Sequence, residues 1–266
     1  MAGNDWEAKT FEHDSLAFSY IDDGSGPPVL FLHGATVTKE SWAAQLEHFS
    51  RDHRVIAPDL RGHGASGPGD KPHTVEMYTA DVLALLDKLD IEHAAVCGHS
   101  AGGFVAQQLA LDHAHRVSSL VLVDTSYGIT TTLWERLTNA MAGVYLKNTS
   151  GPKLVKAFAE SAGKHNEATR DYCYRAMQKF ADQKDRFFQI WHAVERFRSK
   201  DRLSQIAHPT LIVSPDRFAQ AAGQAKRMAR TIPNAKRVIV PDAGHMVMMD
   251  NPEGFNRALA DFLVGR

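Results

Sequence analysis

The 266-residue sequence predicts an α/β fold: a mostly parallel sheet with helices on both faces and a helical insertion after the sixth strand. Three features carry that expectation. Short continuous apolar runs, such as Val29-Leu30-Phe31-Leu32 and Ser119-Leu120-Val121-Leu122-Val123, have the character of strands covered on both faces. Segments with helical spacing alternate with them. Finally, Gly98-His99-Ser100-Ala101-Gly102-Gly103 joins an apolar run at 93–97 directly to a helical run at 104–110.

In chain order, residues 17–21 alternate as an antiparallel strand does, before a turn rich in Asp, Gly and Pro at 22–28. The run ending at Leu32 leads into His33-Gly34-Ala35-Thr36. A helix over 41–49 and a strand over 54–57 follow, and Asp59-Leu60-Arg61-Gly62-His63-Gly64 closes that strand in a glycine-rich loop. Over 74–89, Val82, Leu85, Leu86 and Leu89 fall at helical spacing behind Thr74, a fitting N-cap. The strand at 119–123 ends at Asp124. From 125 to 206 the alternation pauses in an insert that is mostly helical in pattern and rich in aromatic residues. Strand signals return at 210–213 and 237–240. The last helix has Asn251 as its cap, Pro252 in its first turn, and Phe255, Leu259, Phe262 and Leu263 on one face. No repeat or linker divides the chain. Residues 1–124 and 207–266 therefore read as one core, and 125–206 as a lid over the sheet's C-terminal edge rather than an independent domain.

Composition narrows the partners. A formal charge of −1 and a pI near 6.9 give no electrostatic case for nucleic acid or an anionic membrane. Residues 1–11 are polar, without the basic-then-apolar pattern of a signal peptide, and no apolar run is long enough to span a bilayer. Two cysteines, Cys97 and Cys173, make no disulfide framework, which fits reduced thiols in a cytoplasmic protein. The histidines and carboxylates lack a metal-ligand spacing such as H-E-x-x-H. Gly62, Gly64, Gly67 and Gly69 form no dinucleotide fingerprint, because Pro68 intervenes and no helix pattern follows. The expected partner is a small-molecule substrate, with no metal and no cofactor. Nothing in the sequence chooses between monomer and homodimer.

The serine turn has a steric logic. A strand that reverses directly into a helix strains its apical residue, and side chains two positions either side would clash, so glycines flank the serine in a G-x-S-x-G spacing. His33-Gly34, the loop from Asp59 to Gly64, this turn, and Ala243-Gly244-His245 ahead of the final helix occur in that order across nearly the whole chain. On these motifs the sequence resembles the α/β-hydrolase family with a helical cap. The resemblance implies that Ser100 is a nucleophile, His245 its base, and the backbone amides of Ala35 and Ala101 an oxyanion hole. Of the fourteen histidines, His245 alone lies between the last strand and the last helix. The family's usual acid position, three residues beyond the glycine that normally ends the seventh strand, falls on Phe218. Two aspartates remain, both preserving the order Ser, acid, His: Asp124 after the sixth strand, which is taken as the acid, and Asp216 as the alternate. Trp134, Tyr145, Phe188 and Trp191 of the insert are taken as substrate-binding residues, other aromatics there forming its own small core.

The implied activity is cofactor-independent hydrolysis of a small to medium, largely apolar carboxylic ester or lactone through an acyl-enzyme. The same resemblance extends to ring-fission product hydrolases that cleave carbon–carbon bonds, to perhydrolases, and to cofactor-free dioxygenases. The last tend to carry His where this chain has Ala101. A ligand receptor that keeps the triad is a further alternative.

Overall fold

All the apolar runs enter a single sheet. The computed structural model describes residues 6–130, 132–218 and 221–264, so the first five residues of the polar stretch 1–11 lie outside the described residues. The strands are β1 (Lys9–His13), β2 (Leu16–Asp23), β3 (Pro28–Leu32), β4 (Arg54–Pro58), β5 (Ala94–His99), β6 (Val117–Val123), β7 (Thr210–Pro215) and β8 (Ala235–Val240). Their spatial order is β1-β2-β4-β3-β5-β6-β7-β8. β1 pairs antiparallel with β2, and β2 with β4; every pairing from β4 to β8 is parallel. The continuous apolar runs became the central strands, buried on both faces. Strand β1 was not anticipated: only Phe11 of its five residues is buried, so it carries almost no apolar signal.

On one face of the sheet α1 (Ala43–Phe49), the short α9 (Val247–Asp250) and α10 (Pro252–Leu263) cover Phe31, Val55 and Val121. On the other, α2 (Val75–Lys88), α3 (Ala101–Asp112) and α8 (Ala222–Thr231) cover Leu30, Val96 and Leu122. The helix ends follow capping chemistry. Thr74 Oγ1 accepts from the Met77 amide at 3.2 Å, and Asn251 Oδ1 from the Gly254 amide at 2.8 Å. The segment expected as a helix from residue 41 begins as a 3-10 turn, Lys39–Trp42, ahead of α1.

Between β6 and β7 lie α4 (Leu133–Asn148), α5 (Gly151–Ala162), α6 (Glu167–Met177) and α7 (Lys184–Arg196). This insert has its own core of Leu154, Val155, Met177, Phe180, Phe187 and Ile190. Its polar bonds run to loops at the C-terminal ends of the parallel strands. Tyr172 Oη accepts from the Thr38 amide at 3.1 Å, and Lys179 Nζ donates to the carbonyls of Gly62 and Gly64 at 3.0 and 3.2 Å. The insert therefore covers that edge. No helix among the described residues is long and apolar enough to cross a membrane.

Backbone crowds backbone where β5 meets α3. A Cβ on Gly98 would stand 2.3 Å from the Gly102 carbonyl oxygen, and one on Gly102 would stand 2.3 Å from that of Leu32. Both obstacles are backbone, so no rotamer change relieves them. Gly102→Ala should cost about 3 kcal/mol, the upper end for overpacking. Gly143, inside α4, has nothing within 4 Å of its would-be Cβ. There Gly143→Ala should stabilise by about 0.5–1 kcal/mol, the helix-propensity difference. Urea unfolding of the two variants checks both signs.

Candidate active site

Ser100 occupies the apex of the β5–α3 turn with φ 50° and ψ −116°, a strained conformation for a residue with a side chain. Its surroundings hold it there. The Ser100 amide donates to the Val123 carbonyl at 3.0 Å, and the Ser100 carbonyl accepts from the Gly103 amide at 3.0 Å and from Thr125 Oγ1 at 2.7 Å. Ser100 is thereby the N-cap of a twelve-residue helix whose first amide, that of Ala101, follows immediately. The positive end of that helix lies beside the hydroxyl.

The loop leaving β3 is fixed from below. His33 is fully buried and bridges two loops: Nδ1–H donates to the Gly34 carbonyl at 2.8 Å, while Nε2 accepts from the Leu60 amide at 2.9 Å. Only a neutral imidazole can make both bonds, and burial lowers the His33 pKa accordingly. Gly34 passes so close to the serine turn that a Cβ there would lie 2.8 Å from His99 Nδ1 and 3.2 Å from Ser100 Cβ. That contact sets Ala35 into the cavity wall next to Ser100. Beneath the loop, Asp59 accepts from the Lys39 amide, Lys39 Nζ and the Ala65 amide at 3.0, 2.7 and 3.0 Å. Burial opposes its ionisation, but the Lys39 ammonium and these bonds outweigh it and hold the carboxyl below its ordinary pKa.

His245 lies 2.6 Å through Nδ1 from Asp124 Oδ2. Asp124 directly follows β6 with φ 36°, its amide donating to the Val213 carbonyl at 2.9 Å. The His245 carbonyl accepts from His99 Nε2–H at 2.9 Å, and the Gly244 amide donates to Asp250 Oδ2 at 2.8 Å. Asp250 Oδ1 in turn accepts from Thr169 Oγ1 of α6 at 2.8 Å, tying the insert to the histidine loop. Asp216, the alternate acid, does not reach His245. It is exposed, and its Oδ1 accepts from the Ala243 amide at 3.1 Å, so it anchors the loop that carries the histidine. Phe218 stands against the imidazole instead, ring centroids 5.1 Å apart. A carboxylate accepting from Nδ1–H leaves Nε2 as a proton acceptor, which is what a general base requires.

Ser100, His245, Asp124 and Ala35 open onto one cavity of about 650 Å³. Phe104, Ile129, Phe158, Met177, Trp191 and Val194 form its apolar wall. Thr36, Thr125, Ser126, Thr138 and Asn139 form a polar one. Of the four aromatic residues assigned to the pocket, Trp191 lines it. The other three assignments are corrected. Trp134 and Tyr145 lie on the outer face of α4, 74 and 71 % exposed, and Phe188 packs edge-on against Phe187 below Lys147 and Lys184. Helical spacing marks an apolar stripe without saying which neighbour it faces. Phe158, whose ring packs edge-on against Trp191 at 5.6 Å, and Phe218 were missed as lining residues. The only signal for Phe218 was its place three residues after Pro215, at the close of β7.

A model of the alpha/beta hydrolase fold matches residues 27–252. The chain is 30% identical over 239 residues to a dihydrolipoyllysine-residue acetyltransferase component of an acetoin cleaving system from Pseudomonas putida. The match covers 90% of this chain but only 64% of that relative's length. It is 27% identical over 269 residues to a non-heme haloperoxidase of Rhodococcus erythropolis, covering 94% of this chain and 97% of the relative. Among solved structures, Est816, described as an N-acyl homoserine lactone degrading enzyme, superposes with a TM-score of 0.85 at 26% identity, covering 96% of this chain and 100% of that one.

A buried histidine also closes the seam between core and insert. His73 Nε2–H donates to the Pro68 carbonyl at 2.7 Å and Nδ1 accepts from Tyr78 Oη at 2.9 Å. Its backbone amide and carbonyl bond Gln189 and His192 of α7. Burial lowers its pKa to about 4. Between that value and the unfolded 6.5 the unfolded chain binds the extra proton, so stability is full above pH 6.5 and is lost as pH falls towards 4. The His73 share of that loss should be about 2–3 kcal/mol at pH 4.5. His73→Gln should start less stable at pH 7 yet lose that much less on acidification, read from urea unfolding at the two pH values.

Proposed function

The chain belongs to the alpha/beta hydrolase fold family, and from that premise we propose that it is a cofactor-independent serine hydrolase of uncharged, largely apolar carboxylic esters or lactones. One observation carries the proposal: the 2.6 Å bond between His245 and Asp124 on a cavity that Ser100 also lines. Ser100 Oγ attacks the acyl carbon as its proton passes to His245 Nε2. Asp124 keeps the imidazole in one tautomer and stabilises the imidazolium. The amides of Ala35 and Ala101 hold the oxyanion. Collapse expels the alkoxide, protonated by His245, and leaves an acyl-enzyme. His245 then deprotonates a water, whose attack releases the acid and restores the serine.

The lining of the cavity supports the substrate class. None of the described residues around it is Lys or Arg, while Asp124 and Glu135 already place carboxylates there. A carboxylate-bearing ring-fission product would meet no cation to bind it. An uncharged acyl chain or lactone ring suits the wall of Phe158, Met177 and Trp191. The likeness to a lactone-degrading enzyme supports the same reading. The insert 125–206 acts as the lid that shapes this wall.

Turnover of p-nitrophenyl esters of graded chain length and of γ- and δ-lactones tests the class. A fluorophosphonate probe should label Ser100 stoichiometrically. Ser100→Ala should abolish labelling and lower turnover by at least about a thousandfold. Asp124→Asn should lose on the order of a hundredfold or more, while Asp216→Asn stays within about tenfold, with thermal melts reporting that both variants are folded. Labelling at another serine, or the opposite ranking of the two asparagine variants, defeats the assignment. A protein that binds such compounds without turning them over would be a receptor.

A further inference from the structure

Helix α4 carries an apolar face that no other described residue buries. Leu133, Trp134, Leu137, Met141, Val144 and Tyr145 recur at helical spacing and are 53 to 83 % exposed. No described residue of this sixteen-residue helix is buried. Its start is well defined, because Thr132 and Glu135 form a reciprocal capping box. Yet a helix of this length is marginal without tertiary packing, and an exposed patch of this kind marks an interaction surface.

We infer that this face is a homodimer interface, occupied by α4 of a second copy of the chain. Two observations choose that occupant. Fully buried, the six side chains would offer on the order of 900 Å², against about 800 Å² per partner in a standard interface, and Trp, Tyr, Met and Leu suit an interface core. The two cations of α4 are exposed, and each also contacts the chain itself. Arg136 Nε donates to the Thr130 carbonyl at 3.2 Å, and Lys147 Nζ sits 6.0 Å above the Phe188 ring. Of the sixteen residues of α4 these two alone are cationic, short of the Lys/Arg-rich polar face with which a helix binds an anionic lipid surface. A twofold axis makes the patch self-complementary. Passing through Met141, it sets Met141 against its own copy and Leu137 against Tyr145 of the second copy. The opposite face of α4 contributes Thr138, Asn139, Ala142 and Leu146 to the cavity, so the second copy braces one cavity wall from outside.

Light scattering on size-exclusion chromatography tests the interface independently of any activity. At up to about 100 µM, within the affinity range of interfaces this size, the chain should run at twice its 29.4 kDa mass. Met141→Glu should run at the monomer mass with an unchanged far-UV circular dichroism spectrum. Met141→Cys should form an intermolecular disulfide on mild oxidation, which keeps the question decidable where the charged variant misfolds. A monomeric native chain, a dimer indifferent to Met141→Glu, or failure of the Met141→Cys variant to cross-link overturns the proposal. So does co-sedimentation of a monomer with phosphatidylglycerol vesicles, which would assign the stripe to lipid.

Discussion

Backbone meets backbone where the first turn of α3 crosses the end of β3, and the candidate site hangs from that contact. Gly102 has its Cα against the Leu32 carbonyl, and Gly98 accommodates the returning helix. With no side chains between them, β3, β5 and α3 converge to a point, and the residue at the apex is left with a positive φ. Because β3 ends beside this point, the loop that follows it has little freedom: Gly34 rides over His99 and Ser100, and Ala35 is delivered to the cavity. Strain at a single residue is tolerable when so many neighbouring bonds determine its position.

Buried histidines fasten the loops around that point, and they do so uncharged. A neutral imidazole offers one donor and one acceptor on opposite sides of a rigid ring, which suits a bridge between two backbone segments. His33 joins the β3 and β4 loops in this way, and His73 joins the segment before α2 to Pro68 and Tyr78. His99 uses Nε2–H to hold the His245 carbonyl. For all three, burial lowers the pKa and keeps the proton count that the bridge requires. His245 differs from them in having a carboxylate on one ring nitrogen.

What could be read from the sequence is what local physics determines. Continuous apolar runs announced the buried strands, and Gly98 and Gly102 announced a turn in which no side chain fits. Thr74 and Asn251 announced helix starts through their capping chemistry. Strand β1 escaped because an edge strand with one buried side chain has no apolar run to detect. Trp134 and Tyr145 misled for a related reason: an amphipathic pattern records that a face is apolar, while the neighbour it meets is decided by tertiary packing. The pairing of His245 with Asp124 joins residues 121 positions apart. Chain order admits Asp124 and Asp216 equally, and only the path of the β7 loop, with Asp216 bound to the Ala243 amide, separates them.

Because His245 is bonded to Asp124 at the end of β6, Phe218 after β7 meets the imidazole only by ring contact, while Asp216 and the Arg217 amide hold the loop that carries it. Phe218 can be exchanged for a smaller or more polar side chain while the bond to Asp124 stays intact. The chain thus separates the His245–Asp124 bond from one stretch of its cavity wall, placing the two after different strands. The cavity wall can therefore change shape at residue 218 without first rebuilding the histidine's support. That separability is a source of evolvability.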